Sequence, residues 1–406
     1  MTPADLASRR WFRSKQRTIA DISVVDQAPI GPGMLVVLEV GFADGGPPER
    51  YLAPVIDGRD PIDGEGLWAA LAEAIGREER IGPFAARRAA GFQPGPLDER
   101  SLTGEQSNSA VVLGERLILK LYRLLEPGDN PDLEVSAFLA DAGFADTPAL
   151  AGSLTYETDA VGSAAAMLQA FIPAADDAWS AMLSALASDP ARGTQMAERI
   201  GDLTLRMHRC LASRPDDPAF PARPATVAET AQWRASAEQQ LTMAIEALNG
   251  AEHDRLVALA PNVRARFADA FGSASSDAQA QRIHGDYHLG QLLIRLDGGF
   301  SVIDFEGEPA RSLEERRGPS SPLRDVAGML RSLDYAARTS ERQSRLAADG
   351  WLSRGREAFL AAYGSTDNGL LVAFELEKAC YEVRYEAGMR PEWLWLPMAA
   401  VERLVE

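Results

Sequence analysis

Two short motifs carry the residue types of a phosphoryl-transfer centre. HGDYHLGQ occupies 284–291 and VIDFEGE follows at 302–308. Moving a phosphoryl group to a hydroxyl needs one carboxylate to orient the hydroxyl and take its proton. It also needs oxygen ligands for a magnesium ion against the phosphates. Asp286 is assigned as the base. Gln291, five residues on, and Asp304, 18 on, are assigned as magnesium ligands. Asparagine is the commoner amide at that spacing, and the glutamine reaches further. Apolar stretches at 292–296 and 300–303 flank Asp297-Gly298-Gly299. They predict a hairpin that returns Asp304 beside Asp286.

A second group precedes the first. GEQSNSAVVLG at 104–114 lies between two strand signals, and ILKLYR at 118–123 places Lys120 on the second. Backbone N–H groups of a small-residue turn can lie against phosphates, so Gln106, Ser107, Asn108 and Ser109 are candidate ATP-binding residues. Lys120 would contact the α- and β-phosphates, with Glu134 on the next helix as its ion-pair partner. MLQAFIP at 167–173 reads as a strand ending in a linker, where backbone groups of Gln169, Ala170 and Phe171 would hold adenine. Lysine occurs only at 15, 120 and 378 among 41 basic residues. Arginine thus serves wherever a generic cation will do, which singles out Lys120 as a place needing a compact ammonium. The pattern assigns nothing to Lys15 or Lys378.

The elements that must position these groups divide in three. Strand signals at 34–42 and 51–56 and a helix at 66–79 suggest a small unit ending near residue 95. Strands at 109–113, 116–123, 153–157 and 165–170, with a helix at 131–143, form a mixed part over 96–172. Helical patterns dominate 173–406, at 177–187, 194–213, 226–249, 251–271, 322–337, 341–362 and 369–388. A β-island interrupts them at 281–305. A mixed region before a mostly helical one is an α+β plan.

Composition narrows the partners. The 406 residues carry a net charge of −18 and 46% hydrophobic residues. An acidic surface argues against nucleic acid and anionic membranes. No apolar run approaches the roughly 20 residues of a membrane span, and the first residues lack a signal-peptide core. A cytoplasmic protein with two unpaired thiols, Cys210 and Cys380, is expected. His284, Asp286 and His288 alternate as metal ligands on a strand can, so a metallohydrolase is a rival reading. A non-catalytic nucleotide-binding protein is another. It would typically lack the base, the metal aspartate or the lysine, and all are present.

The chain resembles the aminoglycoside-phosphotransferase-like kinases and, within them, the bacterial maltokinases. RWFRSKQR at 10–17, GEQSNSAVV, ILKLYRLLEPGDNPDLEV, HGDYHLGQ, IDFEGEPARSLEERRGPSSPLRDVAGMLRS and FELEKACYEVRYEAGMRPEW carry the likeness. The resemblance implies a bilobal protein-kinase-like fold with an N-terminal cap over 1–95. It implies transfer from ATP, with Mg²⁺, to maltose, giving maltose 1-phosphate for α-glucan and glycogen synthesis beside a trehalose synthase. Glucosamine kinases share the motifs, so glucosamine, another hexose or an aminoglycoside is the alternative acceptor. Acceptor-site candidates are His288, Glu306 and the aromatic–acid cluster Tyr381, Glu382, Tyr385, Glu386, Arg390 and Trp393.

Overall fold

A computed structural model describes residues 2–102, 108–157, 162–273, 278–344, 350–364 and 369–406. The chain forms two compact units, Met1–Pro173 and Ala174–Glu406.

The first unit opens with helix α1 (Pro3–Ser8) and an antiparallel sheet of β1 (Ile19–Ile30), β2 (Gly33–Phe42) and β3 (Glu49–Val55). Helix α2 (Leu67–Gly76) follows, then β4 (Arg80–Ile81), β5 (Phe84–Arg88), β6 (Glu99–Ser101), β7 (Ser109–Leu113) and β8 (Leu117–Leu121). Helix α3 (Pro131–Asp141), β9 (Leu150–Glu157) and β10 (Gly162–Ala170) complete the unit. Strands β4 to β10 make one antiparallel sheet in the order β4-β5-β9-β10-β8-β7-β6. The boundary expected near residue 95 therefore falls inside a sheet, since β4 and β5 precede it and β6 follows it. One apolar core also runs across it. Val37 and Leu52 of the small sheet, Leu71 and Ile75 of α2, and Leu119 and Leu168 of the large sheet are all buried together.

The pattern of β8 shows how that core positions a polar group. Leu117, Leu119 and Leu121 point inward, which turns Ile118 and Lys120 to the opposite face. Strand β1 escaped the sequence reading because it is a sheet edge. Asp21, Ser23, Asp26 and Gln27 break its apolar alternation, and Val24 is exposed.

The second unit contains β11 (Ala174–Asp177), α4 (Ala178–Ser188), α5 (Pro190–Leu211), β12 (Ala222–Pro224), α6 (Val227–Ala247), α7 (Gly250–Ser273) and β13 (Gln279–Gln281). A 3₁₀ turn (Leu289–Gln291), β14 (Leu292–Arg295), β15 (Phe300–Val302), α8 (Leu313–Arg317), α9 (Leu323–Ser344), α10 (Trp351–Tyr363), α11 (Gly369–Met389) and α12 (Trp395–Val405) complete it. The expected hairpin is β14–β15, which pairs Leu292 with Val302 and adds β11 at its edge. Helix α9 runs on past the expected stop near residue 337. Thr339 and Ser340, which fall between two expected helices, lie buried within it. Cys210 and Cys380 are free thiols. Among the described residues no helix is long and apolar enough to cross a membrane.

Candidate active site

In the first unit, Lys120 lies opposite Ala110 of β7 and Met167 of β10. Its Nζ is 2.7 Å from Oδ2 of Asp132, which also accepts from the Tyr122 hydroxyl at 3.0 Å. This carboxylate stands two residues before the expected partner, Glu134. Helix α3 starts at Pro131, capped by Asn130 through the N–H groups of Asp132 and Leu133. Asp132, Val135, Ser136 and Leu139 then share the buried face, while Glu134 is half-buried. Gln106 and Ser107 lie outside the described residues. Asn108 is buried, and the Ser109 hydroxyl accepts a 2.9 Å bond from Arg123 Nε. Arg123 also donates to the Leu52 carbonyl and stacks on Trp11, so the small sheet braces the end of the candidate phosphate loop.

The hinge candidates lie at the end of β10 and on the linker after it. The N–H of Ala170 donates to the Ala149 carbonyl and that of Phe171 to the Arg116 carbonyl. Gln169 turns its side-chain amide to Ser136. The next amide along the linker is that of Ile172, because Pro173 has none.

In the second unit, the Asp286 loop is held from behind. The buried carboxylate of Asp325 accepts from the N–H groups of His284 and Gly285 at 2.8 and 2.9 Å. Burial pushes the Asp325 carboxyl up, but its bond with His208 and the charges and N–H groups around it hold it below its ordinary value. His208 Nε2 donates to Asp325 at 3.0 Å, and its Nδ1 accepts from the Tyr363 hydroxyl at 2.9 Å.

His284 ties the Asp286 loop to the segment that follows β15. Its Nδ1 accepts from the Asp286 N–H at 3.3 Å and its Nε2 donates to the Ile303 carbonyl at 3.0 Å. Both ring nitrogens are thereby used, which removes His284 from the ligand set a metallohydrolase would need. Gly285 and Gly307 have left-handed φ values of +85° and +72°. A Cβ on Gly285 would stand 3.1 Å from the Gly307 Cα, so the two loops approach at a point that excludes a side chain.

Gln291 Nε2 donates to Asp304 Oδ2 at 3.3 Å, which brings the two expected ligands together. Asp304 adopts φ +68°, a conformation that costs energy for a residue with a side chain and recurs at functional sites. The donors on offer, a carboxylate and an amide oxygen, are hard oxygens that fit magnesium.

Asp286 opens into a cavity of about 600 Å³ within this unit. Lys378, which the sequence pattern left without a role, also lines it. Its Nζ lies 3.3 Å from Asp286 Oδ1 and 3.8 Å from Glu308 Oε1. Burial would lower the lysine pKa, but the two carboxylates outweigh it and hold the ammonium charged well above the ordinary range.

The structure divides the expected acceptor cluster. Tyr381 lines the cavity beside Lys378. Glu382 is bound by the buried Arg331 guanidinium at 2.7 and 3.0 Å, and Glu386 by Arg390 and the Tyr335 hydroxyl. Those carboxylates are engaged by the protein itself. Tyr385 is exposed, with Arg390 over its ring and near Trp393. His288 Nδ1 caps the 3₁₀ turn by accepting from Gly290 N–H, and burial holds its pKa below the ordinary histidine value. The Glu306 carbonyl accepts from Arg316.

Residues 98–362, well over half of the chain, match the phosphotransferase enzyme family. The chain belongs to that family. A glucosamine kinase of Streptacidiphilus jiangxiensis is 29% identical over 392 residues, covering 88% of this chain and 86% of the relative. One from Mycolicibacterium smegmatis is 28% identical over 322 residues, covering 76% and 80%. A solved glucosamine kinase in complex with glucosamine, ADP and inorganic phosphate superposes with a TM-score of 0.78 at 25% identity, covering 100% and 99% of the two chains. A second crystal form gives 0.81 at the same identity and coverage. The fold is thus the α+β kinase-like fold of this family, and the chain is a phosphotransferase with an alcohol acceptor. These relatives carry the name of the alternative acceptor. They lend no support to maltose, to glycogen synthesis or to a trehalose synthase partner.

Proposed function

We propose that this phosphotransferase is an ATP-dependent sugar kinase acting on an amino sugar, with glucosamine as the acceptor. The observation that carries the reading is the Asp286 carboxylate. Its loop is braced through backbone N–H groups by Asp325 and His284, His284 also bonds the carbonyl of Ile303 next to Asp304, and the carboxylate lines a cavity. The relatives' names supply the acceptor.

In this reading an acceptor hydroxyl donates its hydrogen bond to Asp286. Its oxygen forms the new bond to the γ-phosphorus as the bond to the β,γ-bridging oxygen breaks. ADP leaves with that electron pair, and the hydroxyl proton passes to Asp286. Gln291 and Asp304 would hold magnesium, which neutralises charge on the phosphates. Lys120, fixed by Asp132, supplies a cation for the phosphates, and the backbone near Asn108 and Ser109 covers them.

One observation favours a larger acceptor such as maltose. The cavity of about 600 Å³ is of the size that encloses drug-sized ligands, and a single sugar ring is smaller. The deciding experiment is ADP release with Mg-ATP across glucosamine, maltose, glucose and an aminoglycoside. Glucosamine-dependent turnover that Asp286→Asn reduces by about 10²–10⁴-fold, with ATP binding retained, is expected. Turnover with maltose alone would replace the acceptor, and full activity in Asp286→Asn would remove the base.

A further inference from the structure

Five ionic contacts run along the cavity wall and end on the base. Arg324 Nη1 lies 2.7 Å from Glu377, and Glu377 lies 3.4 Å from Arg311 Nη2. Arg311 Nε lies 2.8 Å from Glu308, Glu308 3.8 Å from Lys378, and Lys378 3.3 Å from Asp286. Charge alternates at every step. Ser236 of α6 donates to Glu377 at 2.8 Å, which anchors the far end to a second helix.

We propose that Lys378 is a positioning residue for the base: it holds Asp286 Oδ1 and leaves Oδ2 to meet the acceptor hydroxyl, with the Glu308–Arg311–Glu377–Arg324 chain holding Lys378 in turn. The proposal rests on Asp286 being the base, as argued above.

The reasoning is electrostatic and geometric. Asp286 and Glu308 face one cavity, and two carboxylates without a cation between them repel. The ammonium sits within ion-pair distance of both and 4.7 Å from the centre of the Tyr381 ring, so each side of it has an attractive neighbour. Phosphoryl transfer passes through a loose transition state that gains more from alignment of the attacking oxygen than from early proton removal. The contact is made to one carboxylate oxygen, and Lys378 lies on helix α11 rather than on a loop.

Two measurements test this. In steady-state kinetics, Lys378→Met should lower kcat about 10²-fold while KM for the acceptor and Kd for Mg-ATP stay within about threefold. Lys378→Arg should recover part of kcat. A kcat within threefold of wild type in Lys378→Met, or an arginine variant no better than the methionine one, would overturn the proposal. The second measurement needs no acceptor. The chain has only three lysines, so ¹⁵N-lysine labelling gives three side-chain ammonium groups. The Nζ signal lost in Lys378→Arg should move in Asp286→Asn; an unmoved signal would overturn the contact. Should wild type turn over no acceptor, the substrate reading falls, and this second measurement still decides the role of Lys378.

Discussion

Asp132 is the residue where sequence and structure part most usefully. Its carboxylate is almost fully buried against Lys120 and Tyr122, whereas Glu134 is half-buried. Removing one partner of a buried pair leaves a charge without compensation. Asp132→Ala should therefore cost about 2–3 kcal/mol, below the range for fully buried pairs because Lys120 keeps 18% exposure. Urea unfolding of the variant checks this, and an unchanged midpoint would show that the pair adds nothing to stability. The signal was present in the sequence. Positions 132, 135, 136 and 139 fall on one helical face, and the apolar residues among them mark that face as buried. Acid-to-lysine order alone pointed to Glu134 and did not bring out Asp132. Lys378 had no comparable signal, because its partners lie 92 and 70 residues away in sequence.

Elements whose chemistry is local were legible, and those that depend on distant partners were not. The β14–β15 hairpin followed from an Asp-Gly-Gly turn between apolar runs, and β8 from strict alternation around Lys120. Strand β1 needed knowledge of its sheet, and the unit boundary needed knowledge of the shared core. Helix α6 shows how local chemistry gives a measurable pH effect. Thr226 caps it and Glu229 closes a capping box, accepting from the Thr226 N–H at 2.8 Å and from both Arg223 amino groups. The Arg223 bonds, with help from Thr226, lower the Glu229 pKa to about 2. A depressed carboxyl pKa contributes stability that is complete above the unfolded value, near 4.5, and is lost as pH falls toward 2. Glu229→Gln should thus cost about 1 kcal/mol at neutral pH. The gap between variant and wild type should narrow from pH 5 to pH 3. Unfolding curves across that range check this; a gap constant with pH would show that the carboxylate charge contributes nothing.

At the scale of the whole chain, a net charge of −18 acts on every charged substrate before contact. Mg-ATP is anionic, so the field opposes its approach, and the proposed phosphate lysine and metal ligands can act only at short range. The proposed acceptor, glucosamine, carries an amine, which is largely protonated below the roughly 7.7–8.0 typical of α-amino groups. The same field attracts it, and maltose feels neither effect. Salt shortens the reach of the field, from about 30 Å at 0.01 M to about 8 Å at 0.15 M. At pH 6.5 the kcat/KM for Mg-ATP should accordingly rise a few-fold across that range, and the kcat/KM for glucosamine should fall a few-fold. Maltose, if it is turned over at all, should show a flat profile. Opposite salt slopes for the two substrates of one enzyme would be hard to obtain from a general effect of salt on folding, which would move both together. Parallel slopes would mean that approach is governed by local charges, such as the ion chain behind Lys378, rather than by the sum over the surface.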